Sequence, residues 1–395
     1  MSSIKFTKKT LSLLFYLSAL LVIAGCVSKP KQFGIIFTLN DMDGPIDIYR
    51  LPDNTQSQVE QLTFTPTVGE YGLLVSPNGA QIVFRTDHYP SLEMEPSDLA
   101  VEELRHVYHL DIDSQQLMDI TNVVEDAFPQ VGPDFFMDWS PTREQFMVVT
   151  HRGEGDEIES WLQFVDFDGE NQKEILIPPT GALPSLIQTA KWSPDGKKLV
   201  LTQAVIGIEH QFENPGSAIL IYDLETEKIT PVTANQDHCL PVEWSPTSHQ
   251  IVAICSNILD PLDDKASQSQ VVHILSVENP GLADNQTDLS PCYDPSWSPD
   301  GEQIVLVCDK GSDRAGLFIA NSDGSQLQEV KLGQLGDPAV LKNPTWAPDG
   351  TQIIYVAGSD HEHTNIYSVY PDGSGNHPLT NQSAFYTIVA VYPVP

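Results

Sequence analysis

A hairpin that recurs along the chain constrains the fold more than any other feature of this sequence. Its clearest copy is Trp297-Ser298-Pro299-Asp300-Gly301, followed by the β-rich run Ile304-Val305-Leu306-Val307. Pro fixes one φ angle and Gly accepts a positive one, so these residues predict a tight turn between two antiparallel strands. Six copies occur at intervals of 49 to 64 residues, and their prolines are Pro77, Pro141, Pro194, Pro246, Pro299 and Pro348. A period of this length indicates a repeat architecture.

Each hairpin is followed by a second pair of short apolar segments around a small polar turn. Examples of these turns are Asp168-Gly169, Asp323-Gly324 and Asp372-Gly373. Four strands in a repeat of about 50 residues is typical of a β-propeller blade, which buries its faces against its neighbours. The sequence therefore predicts an all-β fold, a β-propeller of four-stranded blades.

Counting the repeats predicts how the ring of blades closes. There are six hairpins but seven second units, and the surplus unit lies at the start, where 34–38 and 46–63 supply three strands. At the other end, 386–392 reads as one strand with no partner nearby in sequence. Joining the two ends completes a seventh blade and removes the open sheet edges. We predict seven blades; six blades, with one unit misassigned, is the alternative.

The Trp-Ser-Pro-Asp-Gly hairpins and the Asp-Gly units that follow them resemble the WD40-like propeller repeats of TolB and related bacterial envelope proteins. The resemblance covers nearly all of residues 34–395. It implies a propeller that works at the cell envelope. Two copies, at Trp139 and Trp244, lack the Asp-Gly dipeptide, and the first copy has Val75 in place of Trp.

The first 26 residues predict export and lipid attachment. Lys5, Lys8 and Lys9 precede an apolar run that is too short to span a bilayer, as in a secretory signal. The run ends in Leu21-Val22-Ile23-Ala24-Gly25-Cys26, which resembles the lipobox of bacterial lipoproteins. That resemblance implies that Cys26 is lipidated and becomes the mature N-terminus; an ordinary signal peptide or an uncleaved anchor is the alternative.

These observations divide the chain into three parts. Residues 1–25 are the predicted signal peptide, 26–33 the lipidated Cys and a short tether, and 34–395 a single propeller domain. Anchoring through Cys26 places the protein in the bacterial envelope, on the periplasmic face of the outer membrane or on the cell surface if there is no outer membrane. Membrane lipid is thus one predicted partner.

The net charge of −34 is spread along the chain. A surface of this charge repels nucleic acid phosphates, so the sequence excludes nucleic acid as a partner.

Four further cysteines form two equivalent pairs in consecutive repeats. Each pair has one Cys five residues before the hairpin Trp and one eleven residues after it. In an antiparallel hairpin these positions face each other, so we predict the disulfides Cys239–Cys255 and Cys292–Cys308, in keeping with an oxidising compartment. Free buried thiols or a metal site are the alternatives.

The hairpin turns lie on one face of a propeller, and the longer loops lie on the other. The long, varied loops mark the predicted binding face, and they surround the channel mouth with carboxylates. Such a rim is either simply solvated or captures a cation, a basic peptide or a sugar. The candidate residues in and beside these loops are His88, Glu93, Glu95, His151, His210, Asp263, Asp264 and His361.

His361-Glu362-His363 is the most ligand-like cluster, so His361 and His363 are candidate ligands of a divalent cation. A polar loop is the alternative. The sequence shows no Gly-x-Ser-x-Gly elbow and no Gly-rich phosphate loop, so no residue is assigned a catalytic role and no organic cofactor is expected. We predict a binding or scaffold module with a protein or glycan partner in the envelope. The alternative is a propeller enzyme, a lyase or hydrolase of carbohydrate or ester, with a metal in its channel.

Overall fold

The computed structural model describes residues 32–40, 46–54, 58–64, 68–88, 105–120, 137–153, 158–166, 173–179, 185–205, 217–233, 238–256, 270–278, 285–286, 292–311, 314–381 and 384–394. Within these ranges the chain forms 28 β-strands in seven four-stranded sheets, and all strand pairs are antiparallel. The protein is therefore an all-β, seven-bladed propeller, as predicted, and the six-blade alternative is wrong. The described part of the chain contains no helix that is long and apolar enough to cross a bilayer.

The seventh blade joins the two ends of the chain. Strands β1 (Phe33–Asn40), β2 (Ile46–Leu51) and β3 (Glu60–Gln61) share a sheet with the last strand, β28 (Phe385–Pro393), in the order β28-β1-β2-β3. The register runs from Phe33 opposite Pro393 to Asn40 opposite Phe385. The predicted closure is confirmed: three strands come from the N-terminal side and the innermost strand comes from the C-terminal side.

Blades 1 to 6 follow in chain order, each running from the innermost to the outermost strand. Blade 1 contains β4 (Val68–Val75), β5 (Gln81–His88), β6 (Arg105–Asp111) and β7 (Gln116–Asp119). Blade 2 contains β8 (Met137–Trp139), β9 (Gln145–Arg152), β10 (Glu159–Asp166) and β11 (Lys173–Ile177). Blade 3 contains β12 (Ser185–Trp192), β13 (Lys198–Val205), β14 (Ser217–Asp223) and β15 (Lys228–Pro231). Blade 4 contains β16 (His238–Trp244), β17 (Gln250–Ser256), β18 (Gln270–Ser276) and β19 (Asn285–Gln286). Blade 5 contains β20 (Cys292–Trp297), β21 (Gln303–Asp309), β22 (Ala315–Asn321) and β23 (Gln328–Val330). Blade 6 contains β24 (Val340–Trp346), β25 (Ile353–Gly358), β26 (Thr364–Val369) and β27 (His377–Pro378).

The recurrent turn keeps its geometry even where its sequence changes. In blade 5 the Ser298 hydroxyl donates to the Asp300 carboxylate at 2.6 Å, and Gly301 adopts a left-handed φ of 73°. Blade 4 lacks Asp-Gly, yet Ser248 adopts a φ of 62° and its N–H donates to the Ser245 carbonyl at 2.9 Å. The Gly301 N–H makes the same bond to the Ser298 carbonyl at 2.8 Å. The turn is therefore a structural element that tolerates substitution.

These turns also pack from blade to blade. A Cβ atom at Gly196 would lie 2.8 Å from the hydroxyl of Thr142 in the preceding blade, and one at Gly79 would lie 2.2 Å from the Tyr392 ring. Space, as well as positive φ, therefore requires glycine there. The turn face is a closely packed ring.

The hydrophobic core lies between neighbouring blades. Trp297 of blade 5 packs on Val252 and Ile254 of blade 4, and Trp244 packs in the same way on residues of blade 3. A four-stranded sheet with two apolar faces buries both only by stacking, so each hairpin Trp joins its blade to the one before it.

Both predicted disulfides are present. Cys239 and Cys255 are cross-strand partners of β16 and β17, and Cys292 and Cys308 are cross-strand partners of β20 and β21. The Cα atoms of each pair are 4.0 Å apart. Each bond ties an inner strand to the second strand of its own blade.

Candidate functional site

The residue directly before the hairpin Trp has the same position in the inner strands of blades 2 to 6, and Leu74 has the equivalent position in blade 1. Side chains alternate along a strand, so this residue faces away from the side on which the Trp packs. It faces the following blade: Leu74 packs in the cluster that contains Trp139 of blade 2, and the Asp138 carboxylate accepts the N–H of Trp192 of blade 3. All six residues are partly or fully exposed and belong to the strands nearest the propeller axis. We name them the channel ring: Leu74, Asp138, Lys191, Glu243, Ser296 and Thr345.

Three consecutive members of the channel ring carry charges. Burial raises the pKa of the Glu243 carboxyl to about 7, against an opposing effect of the Lys191 ammonium. Burial likewise raises the pKa of Asp138 to about 6, although the N–H of Trp192 and the charge of Lys191 both act to lower it. Two carboxyl groups on blades 2 and 4 thus flank one ammonium group on blade 3, in surroundings that penalise their ionised forms.

Hydrogen bonding distinguishes the two carboxyl groups. The Asp138 Oδ2 accepts a bond from the Trp192 N–H at 2.6 Å, which fixes Asp138 between blades 2 and 3. Glu243 has no hydrogen-bond partner among the described residues. No nitrogen–oxygen distance of 4.0 Å or less joins Lys191 to either described carboxylate. The Lys191 ammonium therefore acts on both carboxyl groups electrostatically, without a direct ion pair.

A second group, which we name the mouth cluster, consists of Asp294, Lys342 and Phe385. These residues lie near the starts of the inner strands of blades 5, 6 and 7, at the end of the channel where the longer loops enter. The Lys342 Nζ lies 3.6 Å above the centroid of the Phe385 ring. Burial lowers the pKa of Lys342, and the charge of Asp294 opposes this shift. The Phe385 side chain remains 37% exposed.

The predicted loop histidines lie on three blades. His151 is half-buried at the end of β9, with its Nδ1 3.1 Å from the Ser160 hydroxyl, and burial lowers its pKa. His361 and His363 lie in the exposed loop between β25 and β26. Nothing in the described structure joins His151 to these two, so the predicted metal site with ligands from neighbouring loops stays a prediction.

One compact set of ligand atoms does occur in that loop. Asp360, Glu362 and His363 place one ligand atom each within 4.8 Å of one another, and all three residues are exposed. His361 is not a member. The Asp360 carboxylate accepts bonds from the His363 ring at 2.7 Å and from the N–H groups of Glu362 and His363, so it organises the turn. The side-chain bond from His363 is the main cause that lowers the pKa of Asp360.

The other predicted site residues cannot be placed in the same way. His88 is the last residue of β5, at the loop end of that strand. Cys26, Glu93, Glu95, His210, Asp263 and Asp264 lie outside the described residues.

The site residues predicted from the sequence lie in or beside the irregular loops, and none of them belongs to the channel ring. A usable signal was present, because the position before the hairpin Trp is occupied by Asp, Lys and Glu in three successive repeats. Charged residues in an inner strand are costly unless they are paired or used. Aligning the repeats on their Trp residues would have singled out these positions.

The fold and the channel wall define a seven-bladed propeller with charged inner strands. Residues 139–388 match the family described as the TolB β-propeller domain, which is more than half of the 395 residues. The chain therefore belongs to the TolB β-propeller family. Comparison with curated proteins finds no match.

Solved structures share the fold at low sequence identity. A structure from a study of two prolyl endopeptidases is 13% identical with a TM-score of 0.59, and the match covers 97% of this chain and 56% of that one. The propeller domain of the Trilobed protease from Pyrococcus furiosus is 11% identical with a TM-score of 0.55, covering 90% and 96%. Prolyl oligopeptidase B from Galerina marginata is 12% identical with a TM-score of 0.57, covering 90% and 52%. The chain thus spans about half the length of the two prolyl peptidases.

Proposed function

We propose that this protein is a binding module of the bacterial cell envelope, tethered to the membrane through Cys26, that holds a protein partner at the loop end of its channel. Membership of the TolB β-propeller family supports a binding role at the envelope. The mouth cluster is the observation that carries the proposal.

The chemistry of the mouth cluster suits a protein partner. Aromatic rings and cationic side chains dominate the binding energy of protein interfaces, especially where neighbouring groups exclude water. Phe385 offers an exposed ring at the start of β28, and Lys342 and Asp294 beside it offer one charge of each sign. A ring that served only the core would be buried, as Tyr386 next to it is.

Cross-linking in intact cells tests this function. We expect wild-type protein to yield a defined protein adduct with a short amine-reactive or carboxyl-reactive cross-linker, and Phe385→Ala to lose most of it. Leu327→Ala is the matched control, because Leu327 is also an exposed apolar residue (38%) but lies beside the outer strand β23. Equal adduct yield from all three proteins, or recovery of lipid alone, would count against binding at the mouth cluster.

The tether has its own test. With a lipid on Cys26 the wild-type protein sediments with membranes, and Cys26→Ala is released into the soluble exported fraction. More than one acyl chain is needed for stable anchoring, so the difference is expected to be nearly complete. Wild-type protein found soluble in the exported fraction would refute the anchor and leave the mouth-cluster proposal standing.

A further inference from the structure

We propose that the turn face of the propeller, which carries the hairpin turns, docks on the surface of a phospholipid bilayer through the outer turns of blades 5, 6, 7 and 1. This inference rests on the tether at Cys26 proposed above and adds the orientation of the domain. The turn face lies on the lipid, and the mouth cluster at the opposite end of the channel points away from it.

The N-terminal chain enters the fold at the turn face. Phe33, the first residue of β1, pairs with Pro393 at the end of β28, the inner strand of the closing blade. In blades 1 to 6 the inner strand likewise ends at its hairpin turn. Gly79, in the turn of blade 1, lies against the ring of Tyr392, directly before Pro393. A lipid on Cys26 is therefore connected to this face of the propeller.

The tether is too short to bring the opposite face to the lipid. Phe33 follows Cys26 by seven positions, so the chain between them spans at most about 25 Å. Strand β5 has eight residues, so a blade is about 27 Å deep from the turn face to the loop face. The tether would be used up before it reached the level of the loop face. The lipid surface consequently lies on the side of the turn face.

Exposed apolar side chains lie on both sides of the entry point. Among the described residues, four large apolar side chains that are 38% to 53% exposed lie at the turn between the third and fourth strands of consecutive blades. We name them the apolar rim: Leu327 of blade 5, Tyr370 of blade 6, Val59 of blade 7 and Leu117 of blade 1. The equivalent turn of blade 3, residues 224–227, has no such side chain.

The apolar rim suits the boundary between headgroups and acyl chains. Apolar side chains inserted there strengthen binding in proportion to the area that they bury. Four separate side chains bind weakly by themselves, but a tether holds them at a high effective concentration next to the lipid. The rim therefore adds orientation to an attachment that the lipid on Cys26 supplies.

The charges in the same turns select the kind of lipid. Asp323 and Asp372 lie in the outer turns of blades 5 and 6. Hydrogen bonds from Ser325 and Ser374 lower the pKa of these two carboxyl groups, so both are ionised at neutral pH. An anionic membrane surface repels them. The apolar rim thus fits zwitterionic phospholipid.

Photo-cross-linking in intact cells tests the docking surface. A photo-reactive phenylalanine analogue replaces Val59, Leu117 or Tyr370, one at a time, in the full chain. Phe64 is the matched control position, because it is 74% exposed, follows the same outer strand β3, and lies up to about 17 Å from Val59 towards the loop face. We expect phospholipid adducts from the three rim positions and none from position 64. Equal lipid adducts from position 64, no lipid adduct from the rim, or a protein adduct in its place would overturn the proposal.

Membrane sedimentation of the same cells separates this surface from the tether. Protein that sediments but gives no lipid adduct from the rim refutes the docking surface and leaves the tether standing. Protein that does not sediment refutes the tether and this orientation with it. Neither result depends on the protein adduct at Phe385.

Vesicles of defined composition test the choice of lipid. The lipidated protein with the analogue in place of Tyr370 is reconstituted on phosphatidylcholine and on phosphatidylglycerol vesicles at low salt. The lipid adduct should be the stronger on phosphatidylcholine. A yield that is equal on both, or higher on phosphatidylglycerol, would refute the preference for zwitterionic lipid.

Discussion

Replacing Glu243 with glutamine should make the protein more stable at neutral and alkaline pH. The enclosed Glu243 carboxyl has its pKa raised from an ordinary value of 4.5 to about 7. The folded protein therefore holds a proton between these pH values that the unfolded chain has already released. Stability must then fall as pH rises through this window. Glutamine keeps the shape of the protonated acid and does not titrate.

The size of the effect follows from the same shift. One pKa unit corresponds to about 1.4 kcal/mol, so ionising Glu243 in the folded protein costs roughly 3 kcal/mol by the time the pH exceeds 7. The unfolding free energy of Glu243→Gln should match that of the wild type near pH 4 and exceed it by about this amount near pH 8. Urea or guanidinium unfolding, measured at a series of pH values for both proteins, gives the difference directly.

Asp300 provides a control of opposite sign. Hydrogen bonds from the Ser298 hydroxyl and from the Glu302 N–H lower its pKa in the folded protein. Asp300→Asn should therefore be less stable than the wild type at neutral pH, and the deficit should shrink as the pH falls through the pKa of Asp300. A Glu243→Gln variant whose stability parallels the wild type at every pH would refute the reasoning, because Glu243 would then be freely solvated.

Three further predictions concern the scaffold and the metal alternative. A thiol titration of the denatured protein should find no free thiol at Cys239, Cys255, Cys292 or Cys308. Replacing either cysteine pair should lower the free energy of unfolding by about 3 kcal/mol according to the loop-entropy relation, as measured by denaturant unfolding. Tyr386→Ala should lower the free energy of unfolding by about 3 to 5 kcal/mol, because the Tyr386 side chain is 2% exposed and its ring centroid lies 5.5 Å from that of Phe37, where the closing strand meets β1. Phe64→Ala, at a 74% exposed position, should change the stability little. Purified protein should retain no stoichiometric metal by elemental analysis; metal that is retained by the wild type and lost on changing His361 and His363 to alanine would instead support the enzyme alternative.

The fold was predictable because the same hairpin motif recurs along the sequence at a nearly constant interval. The hairpin at Pro299 and its five equivalents fixed the strand order, and the surplus strands at 34–63 and 386–392 predicted the closing blade. The cysteine pairs were predictable for the same reason, since each Cys has a fixed distance from a hairpin Trp. The turn residues and the spacing of the repeats were therefore sufficient to predict both the blade arrangement and the disulfide pairing.

The candidate site was predictable only in part. Loop residues such as His361 were identified because their loops differ from repeat to repeat. Asp138, Lys191 and Glu243 lie inside regular strands, where the alternating sequence pattern predicts a strand but not a functional site. Their proximity arises from the closed ring of blades, which brings residues about 50 positions apart into one channel wall. The pairing of Lys342 with Phe385 also depends on closure, because Phe385 belongs to the strand that completes the ring.

A photo-reactive phenylalanine analogue placed at position 385 tests the binding function most directly, because it reports contact at the channel mouth in living cells. Illumination should join position 385 to one protein partner, and the same analogue in place of Leu327 should give no such adduct. No protein adduct from position 385, or an equal adduct from both positions, would contradict the claim that the protein binds its partner at the mouth of the channel.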